Sequence, residues 1–475
     1  MSEELSLEGV IFGEHAEGRA VLEPSQGEVP ADLRGSYYFN GPANLQRGEF
    51  RYRHWLDGDG FVRAVHIRDG KAEMVSRFVR TKKFEDEARA GEPLYRTFGT
   101  SFPNDRLRRR VALETPANVS VFPFGGKLFA FGEQALPWEL NCETLETIGE
   151  FNFNDELIEI SPFSAHPKID RAGGRLCNFG LKYLLKGTKL CYWEFDESFC
   201  KVMGGEFALP RPVSIHDFAL SEKYAAFYMS PYDLDIGSFI RGGTSIHDAL
   251  TWHEGESNTL ILIPRVGTKE PISIDLGARG FCLHLIDAFM SGNDLIVDLI
   301  ETSEPLYPQY TPLPSLFSTV RSGAIVRLTV SPNEASVRKV ESYPYPEDHL
   351  DFPIGRSVKG DEKSMDVWVL AVPVKPEGQT KYFDRVQRFN WSRGIMVDEY
   401  SPPVGAYIAG EAALIERADS GNEGDILICP VWNARNRTTE IQLFMAYDLA
   451  AGPITSLPAP SESPLGFHSS YAAVS

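Results

Sequence analysis

Four short stretches, far apart along the chain, each set one histidine in an apolar or turn context. They are Ser164-Ala165-His166-Pro167, Ile215-His216-Asp217-Phe218, Cys282-Leu283-His284-Leu285 and Gly466-Phe467-His468-Ser469. Neutral imidazole is a borderline ligand that suits iron, zinc and copper, and the four are read here as meeting at one metal ion. Imidazoles alone leave the 2+ charge of such an ion uncompensated. Carboxylates behind the rings, accepting the second ring N–H and fixing the tautomer, are therefore expected. Glu133, Asp351 and Glu411 are the candidates, because each lies in or at the end of an apolar strand where an unpaired acid is costly. Each could equally cap a turn. Four ligands suit tetrahedral zinc and also an octahedral ion with two open positions; composition does not choose between them.

Something must bring these residues together. From Ser36 the text is strand–turn–strand: Tyr37-Tyr38-Phe39-Asn40-Gly41-Pro42, then alternating runs punctuated by Asp57-Gly58-Asp59-Gly60 and Asp69-Gly70. The same texture recurs to about residue 447, while residues 1–35 read as a lead-in. Helical periodicity is scarce: Phe84 to Ala90 and Ile246 to His253 are the short candidates, and 233–255 reads as a long inserted cap loop. No linker or composition break divides the chain, so 1–475 is read as a single all-β domain. A seven-bladed β-propeller with a loop and helix cap would spend roughly 60–70 residues per blade including loops. His166 to His216 is 50 residues, His216 to His284 is 68 and His284 to His468 is 184, about one, one and three blades. A radial ring brings the inner strand of every blade to one axis, where ligands a blade apart can share an ion; a sandwich has no such point.

The bulk numbers exclude several classes. Net charge is −19 over 475 residues, a field that repels phosphate backbones, so no nucleic-acid partner is expected. Arg106, Arg108, Arg109 and Arg110 form a local basic exception, read as a solvated loop with lipid headgroups as the sharper alternative. The acidic Met1-Ser2-Glu3-Glu4 start lacks a signal-peptide pattern and no run of about 18 apolar residues exists, so a cytoplasmic protein is expected. The six cysteines show no C-x-x-C spacing and are read as reduced, buried thiols.

Taken in order, these segments resemble the carotenoid cleavage oxygenases, a family that includes apocarotenoid oxygenases, lignostilbene dioxygenases and the retinoid isomerase of the retinal pigment epithelium. Gly27-Glu28-Val29-Pro30 with Asn40-Gly41-Pro42 resembles the family's opening, and His54-Trp55-Leu56-Asp57-Gly58-Asp59-Gly60 its next signature. Glu133 with Leu136-Pro137-Trp138, the four histidine segments, Asp351-Phe352-Pro353 and Glu411 follow in family order. The resemblance implies a seven-bladed propeller with ferrous iron on its axis, held by His166, His216, His284 and His468, with Glu133, Asp351 and Glu411 behind three of them. It implies insertion of both atoms of dioxygen across an alkene C=C to give two carbonyl products, and no organic cofactor. Three departures stand out. The family usually has Glu where this chain has the shorter Asp351, which puts its reach in doubt. Asp287 and Met290 stand where the family has Asn and Glu after the third histidine, and Ser469 replaces Gly after the fourth. Val119 aligns with the small residue that screens an open metal position.

The branches that cleave stilbenes and isoeugenol place Lys before the first carboxylate, and stilbene cleavers add an upstream Tyr. Here Gly132 and Phe98 stand at those places. A phenolate clamp is thus missing, which favours a carotenoid or apocarotenoid over a phenylpropanoid or stilbenoid. Phe98, Phe102, Val119, Trp138, Phe163, Phe289 and Phe317 are the candidate walls, each with core packing as the plainer role. A polyene dwells in membrane, so peripheral membrane contact through Tyr232 to Ile240 is expected. His54 and His66 read as packed strand histidines, His15 and His349 as surface, and His247 and His253 as sites for adventitious metal at most. The rival readings are a non-catalytic propeller that binds without metal, and an isomerase or hydrolase on the same fold. Oligomeric state is not legible.

Overall fold

A computed structural model describes residues 6–184, 187–267, 270–355, 365–374, 382–417 and 424–473; the acidic start Met1–Glu4 lies outside them. Seven antiparallel sheets radiate from one axis as the blades of a propeller. The first sheet runs Gly18–Leu22, Lys71–Phe78, Asp59–Arg68, Gly35–Phe39 and, innermost, the C-terminal strand Ser469–Ala473. The next five begin at the axis with Ser120–Phe124, Lys168–Asp170, Ala219–Leu220, Leu285–Ser291 and Asp348–Gly355, and each steps outward through three further strands. In the seventh, Ala406–Ile408 and Ala413–Ile415 share the inner position, and the early strand Gln26–Gly27 pairs with Thr455–Pro458 at the rim. Both chain ends therefore contribute strands to blades built otherwise from distant sequence, which closes the ring, and the inner edges it leaves are short and face one another at the axis.

The burial pattern follows from this geometry. A strand inside a blade is covered on both faces, and Asp59–Arg68 is buried at every position but the last. An outermost strand such as Lys201–Leu209 has one wet face and alternates. Neighbouring blades share their cores: Leu260 and Leu262 of the fourth pack with Leu295 and Val297 of the fifth, and Ile300 and Ile325 of the fifth with Leu350 and Val367 of the sixth.

Over one face lies a cap of insertions. The expected helix at Phe84 is Lys82–Ala90, capped by Thr81 Oγ1 accepting the Phe84 amide and ended by left-handed Gly91 (φ 72°). The region expected as a plain cap loop, 233–255, is more ordered than that. Tyr232–Leu234 and Leu250–Trp252 pair as a hairpin enclosing the helices Ile236–Arg241 and Ile246–Ala249. The helix expected over Ile246 to His253 accordingly stops at Ala249, because Thr251 and Trp252 are recruited to the hairpin. His15 and His349, expected at the surface, are buried; their rings meet the carbonyls of Val10 and Arg321 at 3.1 and 3.0 Å. His54 and His66 are packed and satisfied by backbone carbonyls. All six cysteines are free, but Cys200 is exposed and Cys142 half-buried, so the expectation of uniform burial fails at the blade rims. Among the described residues no helix is long and apolar enough to cross a membrane.

Candidate metal centre

Each of the four histidines immediately precedes, or lies within three residues of, an innermost strand: His468 in the first blade, His166 in the third, His216 in the fourth and His284 in the fifth. The remaining inner strands bring Val119 from the second blade, Asp351 and Phe352 from the sixth, and Glu411 from the seventh. All seven blades thus deliver a residue to one end of the axis. The four rings are buried and their candidate ligand nitrogens all lie within 4.8 Å of one another. Nε2 of His166 and Nε2 of His216 approach to 2.8 Å. Ligands on one ion with bonds of about 2.1 Å sit roughly 3–4 Å apart, so the cluster has the size of a single coordination sphere. Nε2 of His284 is buried and has no hydrogen-bond partner among the described residues, an expensive arrangement unless a cation takes its lone pair.

The outward nitrogens of three of the rings each face an acid. His284 Nδ1 lies 2.5 Å from Asp351 Oδ1, and His468 Nδ1 lies 3.3 Å from Glu411 Oε1. His216 Nδ1 is 3.1 Å from Glu133 Oε1, an ion-pair approach off the line of the N–H, with the Tyr307 hydroxyl at 3.4 Å. The shorter side chain of Asp351 reaches its histidine because the strand bulges between Asp351 and Ile354, with Phe352 in the left-handed region (φ 51°). A bulky residue there is strained; the turn carries the Asp351 carboxylate inward and lays Phe352 against the cavity. Burial alone would raise the Asp351 pKa, but the adjacent His284 ring outweighs it and holds the acid at about 2. The same pairing overcomes burial to raise His284, whereas burial dominates His468, and burial with the neighbouring rings depresses His166 strongly.

A small cavity of about 10 Å³, room for one water, opens beside three of the rings, walled by Leu56, Val119, Leu283, Tyr307, Tyr310, Phe352 and Phe467. Of the walls expected from sequence, Val119 alone lines it. Phe98 and Phe317 stand one layer back, packed on Tyr307 and Tyr310 respectively. Phe102 packs on Phe50 in the cap. Trp138 packs within the second blade, Phe163 joins an aromatic cluster with Phe153 and Trp193, and Phe289 lies under the Arg327 guanidinium of the fifth blade. None of these four lines the cavity: Phe163 and Phe289 are buried in packing away from it, whereas Phe102 and Trp138 are half-buried. The tyrosines missed by sequence reading have a signal in retrospect. Tyr307–Tyr310 is one 3₁₀ turn inside a proline-rich stretch, and 3₁₀ geometry eclipses positions three apart, which aims both rings at the same wall.

Elsewhere the candidate groups disperse. His247 neighbours Asp248, and His253 neighbours Asp233 and Glu256, but among the described residues only the axial histidines form a group of three or more potential ligands. In the basic loop, Arg108 pairs with Glu150 and Arg109 with Glu159.

Comparison with known proteins agrees with this geometry. The family model described as retinal pigment epithelial membrane protein matches residues 12–473. The apocarotenoid-15,15'-oxygenase of Synechocystis is 28% identical over 472 residues, covering 95% of this chain and 93% of its own. Lignostilbene-alpha,beta-dioxygenase isozyme III of Sphingomonas paucimobilis is 26% identical, covering 98% and 96%. Isoeugenol monooxygenase of Pseudomonas putida is 27% identical, covering 64% and 62%. Among solved structures, a cobalt-substituted Synechocystis apocarotenoid oxygenase superposes with a TM-score of 0.87 at 25% identity, covering 98% of both chains.

Proposed function

The chain belongs to the retinal pigment epithelial membrane protein family of alkene-cleaving oxygenases, and from that membership we propose that it holds ferrous iron on His166, His216, His284 and His468 and splits one C=C bond of an apocarotenoid-type polyene with dioxygen. The observation that carries this reading is the convergence of four imidazoles, three of them backed by a carboxylate, beside an apolar, aromatic cavity. Iron suits four neutral nitrogen donors and keeps coordination positions open, as dioxygen chemistry requires. Bound there, it would supply the binding and reduction of dioxygen. The protein's own residues do the rest. Asp351 and Glu411 fix the Nδ1–H tautomers of His284 and His468, so each presents Nε2 inward. Glu411 also accepts the Ser469 amide at 2.8 Å, and the Val119 carbonyl accepts the His468 amide at 3.1 Å, which pins the last ligand segment. Tyr307, Tyr310, Phe352 and Phe467 exclude water and orient a flat alkene by contact.

A polyene needs no charged anchor, and the walls named above carry none; its binding is burial of apolar area at about 25 cal/mol per Å². A second reading, a compact phenylpropanoid alkene, is favoured by the 27% identity over 305 residues to an isoeugenol monooxygenase. At about 10 Å³ the cavity holds one water, so either alkene must displace the aromatic walls to reach the histidines. Incubation of the iron-loaded protein with labelled dioxygen and a panel of apocarotenals, hydroxystilbenes and isoeugenol, read by mass spectrometry, separates these. Two labelled carbonyl fragments from an apocarotenal support the first reading. Turnover of isoeugenol alone replaces it with the second, and an unlabelled product overturns both in favour of an isomerase or hydrolase.

A further inference from the structure

Three of the four imidazoles have their carboxylate at 2.5 to 3.3 Å. Behind the fourth, His166, stands Asp217, with Oδ1 3.7 Å from Nδ1. Asp217 is buried, and its carboxylate is fully engaged. Oδ1 accepts the Phe218 amide at 2.8 Å and meets Lys168 Nζ at 2.7 Å, while Oδ2 accepts the Leu285 amide at 2.9 Å. Those partners lie in separate ligand segments. Lys168 is two residues after His166, Asp217 itself follows His216, and Leu285 follows His284. One carboxylate therefore ties together the inner ends of the third, fourth and fifth blades, where three of the four ligands enter.

We propose that Asp217, held by Lys168, is a positioning residue of the metal centre: a fourth carboxylate that sets the spacing of the His166, His216 and His284 segments and lends its charge to His166 without a direct hydrogen bond. The inference rests on the reading of the four histidines as an iron site. It follows from where the contacts go. An acid that only satisfied local backbone would need the Phe218 amide; Asp217 also holds an amide 68 residues away and an ammonium from a third blade. The distances further make the centre asymmetric. Three rings are gripped by a carboxylate at contact distance, whereas His166 is steered by a charge that Lys168 partly neutralises, so its ring is the least firmly oriented and the weakest donor of the four.

The test is iron binding to the purified full-length protein, by chelator competition, with the spectrum of the ferrous nitrosyl adduct recorded in parallel. Asp217→Asn keeps the size and one acceptor but removes the charge and the ion pair. It should weaken iron binding about 10-fold or more and broaden or shift the nitrosyl spectrum, with a lower melting temperature of the metal-free protein that still leaves it folded at the assay temperature. Lys168→Met, which leaves the carboxylate in place, should shift the same spectrum with a smaller loss of affinity, and it carries the test if Asp217→Asn does not fold. Unchanged affinity and spectrum in the folded variant, or a loss of metal-free stability with no change in iron binding, overturns the positioning role. If the parent protein itself binds no iron, it is the metal-site reading that fails.

Discussion

The family pattern and the structure disagree over what Asp351→Glu should do, which makes it the sharpest test of the geometry. By the pattern the change restores the usual residue. By the structure it overfills the site. Asp351 is 1% exposed, its Oδ1 already lies 2.5 Å from His284 Nδ1 and 2.9 Å from the Phe352 amide, and the strand has bulged to place it there. An added methylene would have to fold back against a close-packed wall or push His284 toward the other rings. Overpacking of this kind costs about 1–3 kcal/mol, and displacing a ligand through the group behind it costs about 10-fold in metal affinity. Urea unfolding of the metal-free protein reads the first, and chelator competition for ferrous iron reads the second. Asp351→Asn, which retains shape and an acceptor, should match the parent in packing while also losing affinity. A glutamate variant as stable as the parent, with equal or tighter iron binding, would refute the argument that the bulge tailors this position to the shorter acid.

Other expectations follow from the same contacts. His216→Ala should lose both iron and turnover, checked by metal analysis and product assay; retained iron with full turnover would remove that residue from the centre. Asp287 stands opposite Asp298 across the Leu285–Ser291 and Asp294–Thr302 pairing, and burial, with the Asp298 charge adding to it, lifts its pKa to about 7, although the Ala288 amide, Lys168 and Arg327 pull it down. A carboxyl raised above its unfolded value of 3.8 contributes stability in full below that value and loses it as pH rises through about 7. The upper bound is about 4 kcal/mol before screening at a partly exposed site is discounted. Asp287→Asn should therefore raise the unfolding midpoint more at pH 8 than at pH 5, measured in parallel urea titrations; an equal gain at both would assign the effect to packing.

The sequence alone carried the fold class and the identity of the axial groups, for a physical reason. Strand alternation and turn chemistry are local, so the all-β texture is legible residue by residue. Imidazoles and acids are rare in apolar strands, so His166, His216, His284 and His468 with Glu133, Asp351 and Glu411 stand out where they occur, and blade-length spacing gives them a way to meet. What the sequence did not carry depends on direction and register. Phe163 and Phe289 read as well as any cavity wall, but Phe163 lies in the loop ahead of Lys168–Asp170 and packs on Phe153, and the pairing of Leu285–Ser291 lays Phe289 under Arg327. Tyr307 and Tyr310 sit in a proline-rich segment with no periodicity, and only the turn they form, packed against the axis, makes them walls. Asp217 is adjacent to a recognised candidate ligand, yet its contacts with Lys168 and Leu285 span three blades and exist only once the ring has closed. Residue chemistry can be read along the chain, whereas which atoms face one another at 2.5 or 3.7 Å is decided by bulges, pairing and closure.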